Sequence, residues 1–158
     1  HGAAASKIAW IDLHTGLGPS GVGERIWAGG HDDAAIARAR RWWGDQVTSI
    51  YDGSSTSALL TGLMWGAIHD AAPQAEYTGI ALEYGTEPIM EVLDALRGDQ
   101  WLAQHPEAPP ELAASIKARL LKAFYTDTDA WKGQVVSQAR QAMLQAVDGL
   151  RADSASAA

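Results

Sequence analysis

The sequence predicts an α/β fold: a mixed sheet covered by helices, followed by a helical C-terminal part. Three observations point there. Thirteen of the sixteen glycines lie in residues 1–85 and three lie after, so strands and loops belong to the first half and helices to the second. Two short apolar runs, Lys7 to His14 (KIAWIDLH) and Glu76 to Tyr84 (EYTGIALEY), read as buried strands stopped by glycine-bearing turns. Late in the chain, apolar residues recur at every fourth position. Leu112, Ile116 and Leu120 form one such series, and Trp131, Val135, Ala139, Met143 and Val147 form another. Such stripes mark amphipathic helices that cover a sheet.

Taken in order, the first strand ends at His14, and a loop over residues 15–23 follows, rich in glycine and holding Pro19. A short strand is expected over residues 25–28. Asp32 and Asp33 suit a helix start by capping and by the helix dipole, and Gly44 ends that helix. Trp42 and Trp43 are adjacent, so they should not both face inward equally. Residues 46–51 read as a strand, residues 54–57 as a hydroxyl-rich loop, and residues 58–71 as a helix closed by Pro73. After the second buried strand, helices are expected over about 88–103, 110–124 and 129–150. Strands alternating with helices, then helices alone, give a layered α/β domain. A single domain is expected over residues 1–151, with a small, polar, disordered tail over 152–158.

The chain has 158 residues, and twelve basic residues against nineteen acidic ones give a net charge of -7. An acidic chain of this kind suits neither a nucleic-acid surface nor an anionic membrane. No apolar run reaches the roughly 20 residues of a bilayer span. Cysteine is absent, which removes disulfides, thiol nucleophiles and cysteine metal sites. The compartment stays open, with the cytoplasm favoured. The chain opens on His1-Gly2 rather than Met and runs almost directly into a strand, as a piece of a longer protein would.

Two polar residues stand where an apolar strand gives way to a glycine turn: His14 before Thr15-Gly16, and Glu83 before Tyr84-Gly85. In open α/β sheets, ligand sites form beyond the carboxyl ends of strands. If the two strands are parallel neighbours, both side chains reach one rim. A neutral imidazole is a good Zn²⁺ ligand. A carboxylate in an apolar wall is pushed toward neutrality, which suits Glu83 to proton transfer. Asp12 is on the same strand face as His14 and could orient it. Each has a plainer alternative: a satisfied strand-end His, a Glu paired with an Arg, and an Asp bonded to loop amides. No His is followed by a carboxylate three residues on, so no His-x-x-Glu pair exists, and the usual three zinc ligands cannot be assembled by a known spacing. Gly16, Gly18 and Gly21 match the spacing of a dinucleotide fingerprint, but Pro19 and Gly23 disfavour the helix start it needs. The tryptophans fit core packing better than sugar-stacking platforms.

Four segments together resemble a bacterial family of uncharacterised proteins similar to the zinc carboxypeptidases and to the succinylglutamate desuccinylase/aspartoacylase group. They are IDLHTGLGPSGVGERI (Ile11 to Ile26), YDGSSTSALLTGLMW (Tyr51 to Trp65), ALEYGTEPIMEVLDALRGDQWL (Ala81 to Leu102) and AFYTDTDAWKGQVV (Ala123 to Val136). The resemblance implies part of a zinc-carboxypeptidase-like mixed sheet and one catalytic Zn²⁺ held by an upstream His-x-x-Glu and a later strand-end His, which matches His14. It also implies a general acid/base Glu, which matches Glu83, and it makes Arg25 a candidate substrate-anion contact, with a surface salt bridge as the alternative. The missing motif makes this chain resemble the C-terminal portion of such a metallohydrolase, with an incomplete zinc site. The substrate would be a peptide or an N-acyl amino acid. A truncated sheet would also leave an unpaired edge or an apolar face, so either a missing N-terminal half or self-association into a homo-oligomer that covers that surface is expected. The alternative is a non-catalytic fragment or binding module that keeps the fold without the metal.

Overall fold

The computed structural model describes residues 4–155. In order these form β1 (Lys7–Ser20), β2 (Gly23–Trp27), α1 (Asp33–Trp43), α2 (Gly66–Ala71), β3 (Glu76–Gly85), α3 (Ile89–Gln104), α4 (Pro110–Phe124) and α5 (Asp129–Ala155). The strands make a sheet in the order β1-β3-β2. The Glu76 N–H bonds the Ser6 carbonyl where β1 and β3 both begin, so these two run parallel. The Ala28 N–H bonds the Gly79 carbonyl and the Gly21 N–H bonds the Gly85 carbonyl, so β2 is antiparallel to β3. The expected α/β class, with a mixed sheet and a helical C-terminal part, is therefore what the chain forms. Central β3 is buried along almost its whole length, as a near-continuous apolar run requires.

Several boundaries differ from the sequence-based expectation. β1 does not stop at His14 but continues to Ser20, because Gly16 and Gly18 take φ of 125° and 92° that only glycine adopts readily. The glycine spacing that imitates a dinucleotide fingerprint thus falls in a strand and a turn, not before a helix. Residues 46–51 contribute one parallel bridge, Ile26 to Thr48, rather than a strand. Only Gly66–Ala71 of the helix expected over 58–71 forms, and Trp65 at its start offers no side-chain cap. Gly62 breaks the preceding stretch at φ 76°. α5 runs through Ala155, so residues 152–155 of the expected disordered tail are helical. Residues 156–158, and the His1-Gly2 start, lie outside the described residues. Among the described residues no helix is long and apolar enough to cross a membrane.

The chain forms two compact units. The first takes β1 up to Leu13, Glu24–Leu82 and the chain from Ser137 onward. In it, α1 starts on Asp32, whose carboxylate accepts the Ala34 and Ala35 N–H groups. Trp42 and Trp43 are both buried, at 7% and 0% exposure, against the expectation for adjacent helical residues. α5 explains this by meeting both rings. The Trp43 Nε1–H donates to the Ala142 carbonyl at 2.9 Å, and the Trp42 Nε1–H donates to Asp153 at 3.1 Å. The buried face of α5 here is Ala139, Ala142 and Ala146, while Met143 and Val147 are exposed. A strict four-residue repeat drifts around a 3.6-residue helix, so the expected stripe winds out of the contact.

The second unit takes His14–Gly23 and Glu83–Val136. α3 and α4 pack around Val92, Ala95 and Ala123, with Leu120 and Phe124 against them. Pro88 and Pro109 stand at the starts of these helices, where a missing N–H costs nothing.

Candidate functional site

The site lies in the second unit, where β1 and β3 approach their C-terminal ends. The Glu76-to-Ser6 bond sets the register of the parallel pair: Lys7 stands opposite Glu76. The residue offset from Lys7 to Glu76 equals that from His14 to Glu83. The first positive-φ residue in either strand is Gly16. Counting both strands forward in step therefore sets His14 opposite Glu83. Directly opposite residues of neighbouring strands share a face, with backbones about 4.8 Å apart. His14 is exposed, whereas Glu83 is 9% exposed. The Glu83 carboxylate Oε1 accepts the Leu17 N–H at 3.2 Å, so the strand continuation past Gly16 turns a backbone donor onto the acid.

The residues around Glu83 are tied down from several sides. Tyr84 donates its hydroxyl to the Val135 carbonyl at 3.1 Å. The Trp131 Nε1–H donates to the Gly85 carbonyl at 2.9 Å, and the Thr86 hydroxyl donates to the Ala123 carbonyl at 2.5 Å. On the facing strand, the Thr15 hydroxyl donates to the Phe124 carbonyl at 2.7 Å. Gly85 permits the close approach: a Cβ there would lie 2.2 Å from the Gly18 and Pro19 carbonyl oxygens. A buried acid with a fixed backbone donor can accept and return a proton in a defined place.

Asp12 and Arg25 belong to the first unit. Asp12 is half-buried on β1. Burial, and then the Asp12 charge, push the Tyr77 phenol far above its ordinary value, so it stays neutral. Arg25 donates from Nη1 to the Trp43 carbonyl at 2.8 Å and from Nη2 to Gln141 at 3.3 Å. That guanidinium caps the end of α1, a favourable place for a cation.

Among the described residues, no group of three or more His, Cys, Asp or Glu could hold a metal ion. His14 and Glu83 offer two donor side chains, and a zinc site takes three from protein. The zinc implied by the resemblance therefore does not fit on the described residues alone. The family model described as a protein of unknown function, DUF2817, matches residues 1–138. The chain belongs to the DUF2817 family. No curated protein and no solved structure matches it. In this DUF2817 chain the Leu17 amide that meets Glu83 was not foreseen from the sequence. A backbone donor leaves no signature in residue type, and only the glycines flanking it hinted at an irregular path.

Proposed function

We propose that this chain is the acid/base-bearing portion of a hydrolase that cleaves amide bonds in peptides or N-acyl amino acids, of the zinc carboxypeptidase or deacylase kind. The observation that supports this reading is the shared register of His14 and Glu83 at the rim, with the Glu83 carboxylate enclosed and bonded by the Leu17 N–H. Glu83 accepts a proton from the attacking water and returns it to the leaving nitrogen. The Leu17 amide fixes the carboxylate's orientation through both transfers. His14 is the imidazole donor at the same rim. The donor set is incomplete, so the remaining ligands would come from polypeptide outside the described residues.

A second reading, a binding module without metal, is favoured by the lack of a three-donor group among the described residues. Two measurements separate the readings. Metal analysis of the purified 158-residue chain with tight stoichiometric zinc contradicts the second. In the protein that carries this chain, Glu83→Gln is expected to lower amide hydrolysis by about 10²–10⁴-fold with metal content unchanged. Undiminished turnover removes Glu83 from the chemistry.

A further inference from the structure

The first unit holds a cavity of about 430 Å³ near the start of β3, lined by Asp32, Arg38, Trp65, His69, Glu76 and Tyr77 among others. Its volume is in the range of small-molecule sites. Its aromatic wall is continuous. The His69 ring lies 4.8 Å from the Tyr77 ring and 5.8 Å from the Trp65 ring, which it meets edge-on at 89°. The wall is open to a ligand on one side, because His69 is exposed and Trp65 half-buried.

Every charge at the cavity already has work within the protein. Arg38 donates from Nε to the Thr78 hydroxyl at 2.6 Å, from Nη2 to the Tyr77 carbonyl at 2.8 Å and from Nη1 to Glu76 at 3.2 Å. Glu76 also faces Lys7 at 3.8 Å. The Asp32 carboxylate holds the first amides of α1. The Tyr77 hydroxyl donates to the Ala28 carbonyl at 2.7 Å. Anion and cation ligands therefore gain little, since each would have to break an existing pair. What remains is a set of pre-oriented groups: guanidinium hydrogens and carboxylate lone pairs beyond those bonds, around an aromatic face. A pyranose ring presents the matching chemistry, with an apolar C–H face and a rim of hydroxyls that both donate and accept.

We propose that this cavity binds a neutral, hydroxyl-rich ring, a saccharide unit seated against Trp65 and His69. The test is an NMR titration of the indole N–H signals of the full chain with cellobiose, N,N′-diacetylchitobiose and maltose. Inorganic phosphate and tetramethylammonium chloride serve as charged comparisons. At least one disaccharide is expected to shift the Trp65 signal saturably, in the millimolar range, and more tightly than either ion. Trp65→Ala is expected to weaken that binding at least tenfold. His69→Ala, at an exposed position, provides the second variant should Trp65→Ala fail to fold, and it is expected to weaken binding in the same direction. The proposal is overturned if no disaccharide saturates, if phosphate or tetramethylammonium binds more tightly, or if a folded variant binds like the parent.

Discussion

Replacing Gly149 and Gly133 separately with alanine applies one chemical change to two positions of α5 with opposite surroundings. In a helix interior, alanine is favoured over glycine by about 1 kcal/mol. At Gly133 an added Cβ meets nothing within 4 Å, so that gain should be realised. At Gly149 the same atom would lie 2.4 Å from Trp42 Cδ2 and 2.5 Å from Cγ, far inside the roughly 3.5–4.0 Å of carbon contact. Trp42 is buried and tethered through Nε1 to Asp153 on the same helix, so it has no room to swing aside. Overpacking of this kind costs about 1–3 kcal/mol, and the overlap of more than 1 Å puts it near the upper end. Gly149→Ala should therefore lose about 1–2 kcal/mol net, after the propensity gain. Thermal unfolding followed by circular dichroism reads both, at about 2–4 °C per kcal/mol for a chain of this size. Gly133→Ala is expected to raise Tm and Gly149→Ala to lower it. Equal increases in both would refute the packing of Trp42 on α5.

Glu24 should make the first unit sensitive to acid. Burial pushes its carboxyl up, but bonds from the Thr48 and Thr56 hydroxyls, the Thr56 amide and Ser55 outweigh this and hold it below its ordinary 4.5. A lowered folded-state value stabilises the protein above the ordinary value and loses that contribution as pH falls through the lowered one. Glu24→Gln is expected to cost about 1–2 kcal/mol near neutral pH and to flatten the acid limb of stability, measured by urea unfolding from pH 6 downward; parallel limbs would contradict the clamp. Asp32→Ala removes the acceptor for two N–H groups of α1 and should cost about 1 kcal/mol. Asp32→Asn should retain most of that, and an equal loss in both variants would move the stabilisation away from the cap.

How much of this was legible beforehand follows from where the information lies. Both apolar runs became strands, and Asp32 became a cap, because burial and capping act on residues adjacent in sequence. α3 and α4 formed close to their expected bounds, since the proline at each start marks it locally. The segment over residues 58–65 failed as a helix because a positive-φ glycine and an uncapped start outweigh its apolar residues. Trp42 was misjudged because its cover, Gly149, is distant in sequence and reveals itself only as an absent side chain. Glu83 does stand two residues from the end of β3, as its place before Tyr84-Gly85 suggested, but His14 lies inside β1, because Gly16 and Gly18 carry the strand on to Ser20. The enclosure of Glu83 was not legible, since it depends on the Leu17 amide and on the close approach at Gly85. The aromatic cavity was hidden for the same reason: Trp65 stands at the start of α2, His69 within it and Tyr77 on β3, and each alone reads as packing.

The register of β1 against β3 carries the functional account, and it can be measured directly in isotopically labelled protein. Nuclear Overhauser contacts between the His14 and Glu83 spin systems, accompanied by contacts between Asp12 and Ala81, are expected. Contacts from Glu83 to Leu13 in place of His14 would mean a one-residue slip. The imidazole would then point to the other face of the sheet, away from the acid it is meant to serve.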